Sequence, residues 1–457
     1  MKIINPFNEE IMNEFVAINN AQINEIIDQS FTDFLIWQQK SQAIRCQLLK
    51  NISIIVKKNE QKYAELITQE MGKILPEAIA ELQKCQALCD YYAENAEYFL
   101  QSEFIKNSDN NAAITYQPLG IIFAIMPWNF PFWQVLRFAI PAIAAGNTVI
   151  LKHAPNVLGC ANILENLFSE AGDLQNLFRN IIIEHQQVEY IIKHRHIQAV
   201  TFTGSTATGR IIAGFAGKYL KKTVLELGGN DPYIILKDAD LSLAIEKTTQ
   251  GRMLNAGQSC IAAKRLIIEA DIYDEMLNLL LEKYSNIKFG DPLSPATNIG
   301  PIARSDLRDK LHQQVVKSIE KGAKCLLGGY IPDMQGYFYP ATILADIDEN
   351  MPAYNEELFG PVISVIKAKN SDDAVRIAND SIYGLGAGIF TKNLDLAANI
   401  MQKLECGTCC VNNVVRSDMT LPFGGIKDSG YGRELSSFGI KEFTNIKTIK
   451  YDNETGK

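Results

Sequence analysis

Two spacings of apolar residues divide this chain into regions with different predicted structures. Across residues 21–100, apolar residues recur three and four positions apart, as Ile23, Ile27 and Phe31 do. This spacing places side chains on one face of an α-helix, so we predict a layer of helices there. From Gly120 onwards, short apolar runs alternate with segments of helical length. The alternation predicts repeated β-α units, which form a parallel sheet with helices on both faces.

The first alternating region has five predicted strands with four helices between them. The strands are residues 121–126, 148–151, 180–183, 199–203 and 224–227. The helices are roughly residues 132–144, 157–171, 186–194 and 207–216. Parallel sheets of this kind bind ligands, often dinucleotides, beyond the carboxyl ends of their strands. We therefore predict a nucleotide site where these strands end.

A second alternating region lies between Pro232 and about Lys427. Its predicted strands lie near residues 266–268, 362–366, 387–390 and 407–411, and residues 241–254 have a helical pattern. Two further segments, residues 112–117 and 442–451, are rich in residues that favour strands. The sequence therefore predicts an α/β protein with a second α/β domain after the first.

Composition limits the class of protein. The 457 residues are 47% hydrophobic and 21% charged, which is ordinary for a soluble protein of two or three domains. The net charge of −8 argues against nucleic acid as the main partner, because phosphate binding requires a basic face. No apolar run reaches the length of a membrane span, and the N-terminus lacks a signal-peptide layout. The irregular spacing of nine cysteines and five histidines favours neither a disulfide framework nor a metal site. We expect a cytoplasmic protein.

Two residues at predicted turns suit covalent catalysis. Glu226 stands near the end of a predicted strand, and Cys260 ends the loop that follows the helical run 241–254. A thiolate attacks a carbonyl carbon, and a carboxylate takes a proton from the water that releases the product. Each residue alone is a weak signal, because a single cysteine is more often a small buried hydrophobe and a single glutamate is usually solvated.

The surrounding motifs strengthen the interpretation. In chain order they are P-W-N-F-P (127–131), L-K-H-A-P (151–155), F-T-G-S-T (202–206), E-L-G-G-N-D-P (226–232), G-Q-S-C (257–260), E-E-L-F-G-P (356–361) and P-F-G-G-I-K-D-S-G (422–430). Together they resemble the aldehyde dehydrogenase superfamily over nearly the entire chain. The resemblance implies that Cys260 is the nucleophile and Glu226 the general base. It also implies that the Asn129 amide and the Cys260 N–H stabilise the oxyanion that forms on attack.

The resemblance further implies a nicotinamide cofactor, NAD or NADP. Gly204 and Ser205 are expected at the pyrophosphate, where glycine and a helix N-terminus suit phosphate. Lys152 is expected against the adenine ribose. Many members carry a glutamate three residues later, where this chain has Pro155. Without that carboxylate a 2′-phosphate meets no like-charge repulsion, so we expect NADP to be usable alongside NAD.

At the nicotinamide end, the resemblance implies that Glu357 holds the ribose and that Phe359 packs against the ring. Met126 and Trp128, at the end of the first predicted strand, complete the expected cofactor contacts.

Within the superfamily, the run at residues 152–157 resembles bacterial NAD(P)-dependent succinate-semialdehyde dehydrogenases. Arg137 stands where relatives that bind semialdehyde carboxylates often carry arginine, although Leu254 replaces a second arginine found in some of them. Arg416 and Ser417, just before the last motif, are expected to bind substrate from the other side. The alternative for Arg137 is a salt bridge at the helix surface or between domains.

The expected fold is a Rossmann-type parallel-sheet cofactor domain (residues 1–102 and 120–232), an α/β catalytic domain (233–430) and a small β oligomerisation arm (103–119 and 431–457). We expect a homodimer or homotetramer that oxidises succinate semialdehyde or a similar small semialdehyde. The alternatives are another small aliphatic aldehyde, a CoA-acylating semialdehyde dehydrogenase, and a catalytically silent homologue. Glu226 argues against CoA acylation, because thiolysis needs no base that activates water.

Overall fold

The computed structural model describes residues 1–106 and 111–451. Its helices follow the apolar periodicity of the sequence, and the first begins with a reciprocal cap between Asn19 and Gln22. The helices are α1 (Asn20–Trp37), α2 (Gln42–Lys58), α3 (Glu60–Met71), α4 (Leu75–Phe99), α5 (Trp133–Ala144), α6 (Leu158–Ala171), α7 (Gln187–Lys193), α8 (Thr206–Lys218), α9 (Leu241–Met253), α10 (Tyr273–Ser285), α11 (Ser305–Glu320), α12 (Pro352–Asn355), α13 (Ser371–Asn379), α14 (Leu394–Met401) and α15 (Ser436–Glu442).

The strands are short. They are β1 (Lys2–Ile4), β2 (Ile11–Glu14), β3 (Glu103–Lys106), β4 (Asn111–Pro118), β5 (Ile121–Ile125), β6 (Thr148–Lys152), β7 (Phe178–Asn180), β8 (Ile197–Thr203), β9 (Lys222–Glu226), β10 (Pro232–Ile235), β11 (Arg265–Glu269), β12 (Lys324–Leu327), β13 (Thr342–Ala345), β14 (Val362–Ala368), β15 (Tyr383–Gly384), β16 (Gly386–Phe390), β17 (Thr408–Val411), β18 (Ile426–Lys427), β19 (Gly430–Tyr431) and β20 (Thr444–Tyr451). In the two large sheets, β5, β6, β10, β11, β13 and β16 are buried along their whole length.

Two sheets form the centre of the fold. The first has the order β19-β9-β8-β5-β6-β7 and is parallel except for β19. The second has the order β12-β13-β14-β11-β10-β16-β17 and is parallel except for β12. Helices α2, α4, α5 and α6 share one hydrophobic core with the first sheet, as the helical periodicity predicts. The α/β class with parallel sheets is therefore confirmed.

A separate antiparallel sheet has the order β20-β4-β3. Strand β20 pairs with β4 over eight residues, so the C-terminal segment lies beside residues 111–118. The predicted strands at 112–117 and 442–451 are confirmed. Residues 107–110 and 452–457 of the expected oligomerisation arm lie outside the described residues, and the domain boundaries remain a prediction.

One predicted strand differs from the structure, and a central strand was not predicted. The segment 180–183 is not a strand: β7 ends at Asn180, and Ile181 and Ile183 are buried in an extended connection instead. There the Ile182 carbonyl accepts a hydrogen bond from the Ile18 N–H and not from a neighbouring strand. A run of apolar residues therefore did not distinguish this buried connection from a strand of the sheet. The sequence also missed β10, a central strand of the second sheet, because it follows β9 after only a few residues.

Within residues 1–106 and 111–451, no helix is long and apolar enough to cross a membrane. The same residues contain no group of three or more His, Cys, Asp or Glu side chains that could hold a metal ion.

Candidate active site

The loop that carries Cys260 has an unusual backbone. After α9 ends, Asn255, Ala256 and Gly257 all have positive φ, at 55°, 51° and 74°. Side chains rarely adopt this region, so the surrounding structure must hold the loop in place. The Asn255 N–H donates to the Glu77 carboxylate at 2.9 Å, which fastens the loop to α4. The Gln258 side chain accepts from the Ala303 N–H at 2.9 Å on the other side.

Asn129 is bound directly to this loop. Its side-chain Nδ2 donates to the Gln258 carbonyl at 3.1 Å, and its own carbonyl accepts from Asn255 Nδ2 at 2.8 Å. An amide nitrogen has two hydrogens, so one remains for a ligand oxygen. The loop therefore holds the Asn129 amide close to Cys260 with a donor to spare.

Lys264 was not identified from the sequence, although it lies only four residues after Cys260. Its buried Nζ donates to the carbonyls of Ser259, at 2.9 Å, and Cys260, at 2.5 Å. The same nitrogen pairs with Glu357 Oε1 at 3.1 Å, and the Gly229 N–H donates to that oxygen at 3.1 Å. Lys264 thus connects the Cys260 loop to the glutamate expected at the nicotinamide ribose. A lone lysine in the sequence carries no signal for such a role.

Cys260 is half-buried. Burial raises the pKa of its thiol to about 12, while the Lys264 and Arg137 cations oppose the rise. Glu226 and Glu357 add to it. The thiol is therefore protonated at neutral pH in this structure, and forming the nucleophile requires loss of that proton.

Glu226 ends β9 and is buried. Neither carboxylate oxygen has a hydrogen-bond partner within the described part of the chain. Burial, followed by the neighbouring Glu434, raises the pKa of Glu226 well above its usual range, and Arg137 and Arg433 lower it. A carboxylate with a raised pKa is a stronger base once ionised, which suits removal of a proton from water.

A cavity of about 420 Å³ opens beside Cys260. It contains most of the residues expected at the cofactor. The lining residues include Trp128, Asn129, Gly204, Ser205, Cys260, Glu357 and Phe359. The Trp128 and Phe359 rings meet edge to face, with their centroids 5.8 Å apart. Segments distant in the chain therefore converge on the thiol.

The N-terminus of α8 forms part of the wall of this cavity. Ser205 caps the helix, with its Oγ accepting from the Thr208 N–H at 3.4 Å. Thr203 also lines the cavity, and its buried Oγ1 has no hydrogen-bond partner among residues 1–106 and 111–451. Free helix N–H groups and an unpartnered hydroxyl suit a phosphate-bearing ligand, so the residues present fit a dinucleotide.

Two expected cofactor residues lie outside this cavity wall. Met126 is buried in a hydrophobic core against which Trp128 also packs. Lys152 ends β6 and lines a smaller cleft of about 30 Å³ beside Pro155 and His185. Burial lowers the pKa of Lys152, and nearby Glu184 opposes that shift.

Arg137 lies on α5 and is fully buried. Its Nε forms an ion pair with Glu434, and its guanidinium lies 4.9 Å from the centre of the Phe423 ring. Its Nη2 has no hydrogen-bond partner in the described residues. Arg137 therefore forms a salt bridge, but a buried one and not one at the helix surface. Its expected substrate contact remains a prediction.

Arg416 and Ser417 differ in their placement. Arg416 is exposed, and its Nη2 donates to Gln250 Oε1 at 3.0 Å. Ser417 is buried, and its Oγ accepts from Lys84 Nζ at 2.7 Å. Lys84, on α4, was not identified from the sequence because it lies 333 positions before Ser417.

Comparison with known proteins identifies the family. The family model described as "Aldehyde dehydrogenase family" matches residues 1–449. The chain belongs to the aldehyde dehydrogenase family. This aldehyde dehydrogenase is an oxidoreductase, as the motifs predicted.

Relatives of this aldehyde dehydrogenase carry more specific names. A probable NADP(+) succinate-semialdehyde dehydrogenase of Synechocystis is 42% identical, with 98% of each chain covered. A succinate semialdehyde dehydrogenase [NAD(P)+] of Escherichia coli is 43% identical, with 98% of this chain and 97% of the relative covered. A solved succinic semialdehyde dehydrogenase of Streptococcus pyogenes, in complex with NADP+, is 36% identical with a TM-score of 0.97. That match covers 99% of this chain and all of the other.

Proposed function

We propose that this aldehyde dehydrogenase oxidises succinate semialdehyde to succinate with NAD or NADP. The observation that carries the proposal is the position of Cys260. A cavity that fits a dinucleotide lies on one side of the thiol, and the buried guanidinium of Arg137 is near enough to affect its pKa. The names of the relatives from Synechocystis and Escherichia coli support the same substrate.

In this proposal the thiolate of Cys260 attacks the aldehyde carbon and forms a C–S bond. The oxygen becomes an anion, which the free Asn129 N–H and the Cys260 backbone N–H stabilise. The oxidised nicotinamide supplies the hydride acceptor when it is bound. Collapse of the oxyanion then leaves a thioester on Cys260.

Hydrolysis of the thioester is assigned to Glu226. Its carboxylate takes a proton from water while the water oxygen attacks the acyl carbon. The C–S bond breaks, the acid leaves and the thiolate is regenerated. The CoA-acylating alternative would make no use of this buried carboxylate.

Both cofactors are proposed because position 155, in the smaller cleft with Lys152, is a proline and adds no carboxylate to the one that Glu184 already brings there. The names of the relatives include NADP(+) and NAD(P)+. We also propose a cytoplasmic homodimer or homotetramer. The small antiparallel sheet supports assembly, since Phe104 and Ile446 on it are 80% and 61% exposed, and exposed apolar strands favour pairing with another chain.

The proposed substrate is tested by comparing succinate semialdehyde with butanal, which has the same number of carbons and no carboxylate. We expect kcat/KM to favour the semialdehyde by at least about a hundredfold, or about 2.7 kcal/mol. Appearance of reduced cofactor, followed by absorbance with NAD and with NADP, is the measurement. Equal kcat/KM values for the two aldehydes would overturn the substrate, and acid formation only with added CoA would favour the acylating alternative.

A further inference from the structure

Helix α4 brings a lysine close to Arg137, outside the lining of the cofactor cavity. Glu81 on this helix accepts the N–H groups of Phe132 and Trp133, both at 2.9 Å, at the start of α5. It also forms a buried ion pair with Lys73. Lys84 lies three residues after Glu81, on the same face of the helix. The fixed contact between α4 and α5 therefore sets the position of Lys84.

The Lys84 ammonium has two close neighbours. Its Nζ donates to Ser417 Oγ at 2.7 Å and lies 4.0 Å from the centre of the Trp133 ring. Trp133 precedes Arg137 by one turn of α5, and Ser417 belongs to the loop expected to contact substrate. Three segments distant in sequence thus surround one amine.

Charge distinguishes Lys84 from Arg137. The Arg137 guanidinium is balanced by Glu434. Lys84 has no carboxylate within ion-pair distance among residues 1–106 and 111–451, and a cation held in a largely buried place without a counter-ion is costly. An anionic ligand would remove that cost.

The charged groups around Lys84 shift its pKa in opposite directions. Arg137 faces it from α5, Asp418 from the substrate loop, and Glu81 and Cys85 from its own helix. Burial, followed by the repulsion from Arg137, lowers the pKa of Lys84 to about 8. The Asp418 carboxylate is already engaged by the N–H and hydroxyl of Thr420, at 2.8 and 2.7 Å. Lys84 is therefore charged at neutral pH and available to an anion.

We propose that Lys84 is a specificity-determining residue that, together with Ser417, binds the carboxylate at the far end of the substrate. The inference rests on the proposed function. It adds Lys84, a cation with no carboxylate within ion-pair distance among residues 1–106 and 111–451, to the predicted substrate site. An ammonium and a hydroxyl at 2.7 Å present adjacent donors to the two oxygens of a carboxylate. Butanal has no carboxylate that could accept these hydrogen bonds.

The main test is Lys84→Met, which keeps the length of the side chain and removes the charge. We expect kcat/KM for succinate semialdehyde to fall at least about tenfold, while butanal changes less than about twofold. Lys84→Arg should retain most of the preference. The matched control is Gln83→Met, at the adjacent exposed position of α4, which should leave both substrates unaffected.

The pH profile separates binding from a merely structural role. The measured quantity is kcat/KM for succinate semialdehyde divided by kcat/KM for butanal. Groups whose titration affects both substrates equally cancel in this ratio, and kcat/KM reports the pKa values of groups in the free enzyme. Because the Lys84 charge is lost as pH rises through about 8, the wild-type ratio should fall about tenfold from about pH 7 to 9. The ratio should be flat in Lys84→Met and in Lys84→Arg over that range.

A second measurement does not depend on turnover. Succinate should slow alkylation of Cys260 by iodoacetamide in wild type, and Lys84→Met should need at least about tenfold more succinate for equal protection. Unchanged preference and unchanged protection in Lys84→Met would overturn the inference. A wild-type enzyme that does not prefer the semialdehyde would overturn the proposed substrate itself, and the two failures are therefore distinguishable.

Discussion

The two sides of Cys260 are built differently. On the cofactor side lies an open cavity formed by turns, a helix N-terminus and two facing aromatic rings. Outside the lining of that cavity lies the charged side, where Arg137 pairs with Glu434 and Lys84 donates to Ser417. In the proposed function, the first side would recognise its ligand mostly through backbone shape, and the second through charged side chains.

This difference indicates which region controls cofactor binding and which controls the choice of aldehyde. Backbone donors at a helix N-terminus can bind phosphate in any aldehyde dehydrogenase that keeps the turn before α8, whatever its side chains. A carboxylate, by contrast, must be matched by particular cations whose own charges are only partly balanced. We infer that the cofactor side sets the reaction and that the charged side sets the choice of aldehyde.

The largest effect should come from Cys260 itself, where the two sides meet. Cys260→Ala should lower kcat by more than about a thousandfold, roughly 4 kcal/mol, because no C–S bond forms. Cofactor affinity, measured by fluorescence titration, should change less than about twofold, since Cys260 is not among the expected cofactor contacts. Cys325→Ala, another half-buried cysteine, is the control. Turnover within about tenfold of wild type would move the nucleophile to another cysteine.

On the charged side, Arg137→Ala should affect both substrate choice and folding. We expect KM for succinate semialdehyde to rise at least about tenfold while butanal loses little. Glu434 would be left buried without its partner, so the free energy of unfolding should fall by about 3–5 kcal/mol. Glu434→Gln, followed by urea unfolding and by the same two aldehydes, is the control. If both aldehydes lose equally with Arg137→Ala, the residue is only structural.

On the cofactor side, Pro155→Glu should weaken NADP selectively. The new carboxylate would repel a 2′-phosphate beside Lys152, so we expect KM for NADP to rise about tenfold and KM for NAD to stay nearly constant. Pro155→Gln provides the uncharged control. Wild-type exclusion of NADP by more than about a thousandfold, roughly 4 kcal/mol, would mean that another position selects the cofactor.

The smallest effect is expected from Arg416→Ala. Arg416 is exposed and already donates to Gln250, and exposed charged contacts contribute little. KM for succinate semialdehyde should rise about twofold, with butanal unchanged. Gln250→Ala tests whether their hydrogen bond holds the arginine in place. A rise of more than about tenfold would assign Arg416 to the carboxylate site.

Local patterns allowed much of the fold to be predicted. Helix α9 was expected at 241–254 and runs from Leu241 to Met253, and β5, β6, β8 and β9 lie where apolar runs placed them. The segment 180–183 was wrong because buried isoleucines also occur in an extended connection. Strand β10 was missed because a short apolar run after a glycine turn resembles a continuation of the loop.

The residues of the candidate site were likewise predicted only in part. Motifs identified Asn129, Cys260 and Glu357, which the structure brings to one cavity. Lys264 and Lys84 were missed because their roles depend on hydrogen bonds to a loop carbonyl and to a serine 333 residues away. No local spacing encodes such contacts, and the partner of Arg137, Glu434, is hidden for the same reason.

The covalent route through Cys260 is tested most directly by trapping the acyl enzyme. In Glu226→Gln the amide does not accept a proton from water, so hydride transfer should proceed once and hydrolysis should stall. Rapid mixing with succinate semialdehyde and oxidised cofactor should give a burst of reduced cofactor of one equivalent per Cys260 or less. Mass spectrometry of the quenched protein should then find a succinyl group on the peptide that contains Cys260. Steady turnover at the wild-type rate, with Cys260 unmodified, would contradict the account.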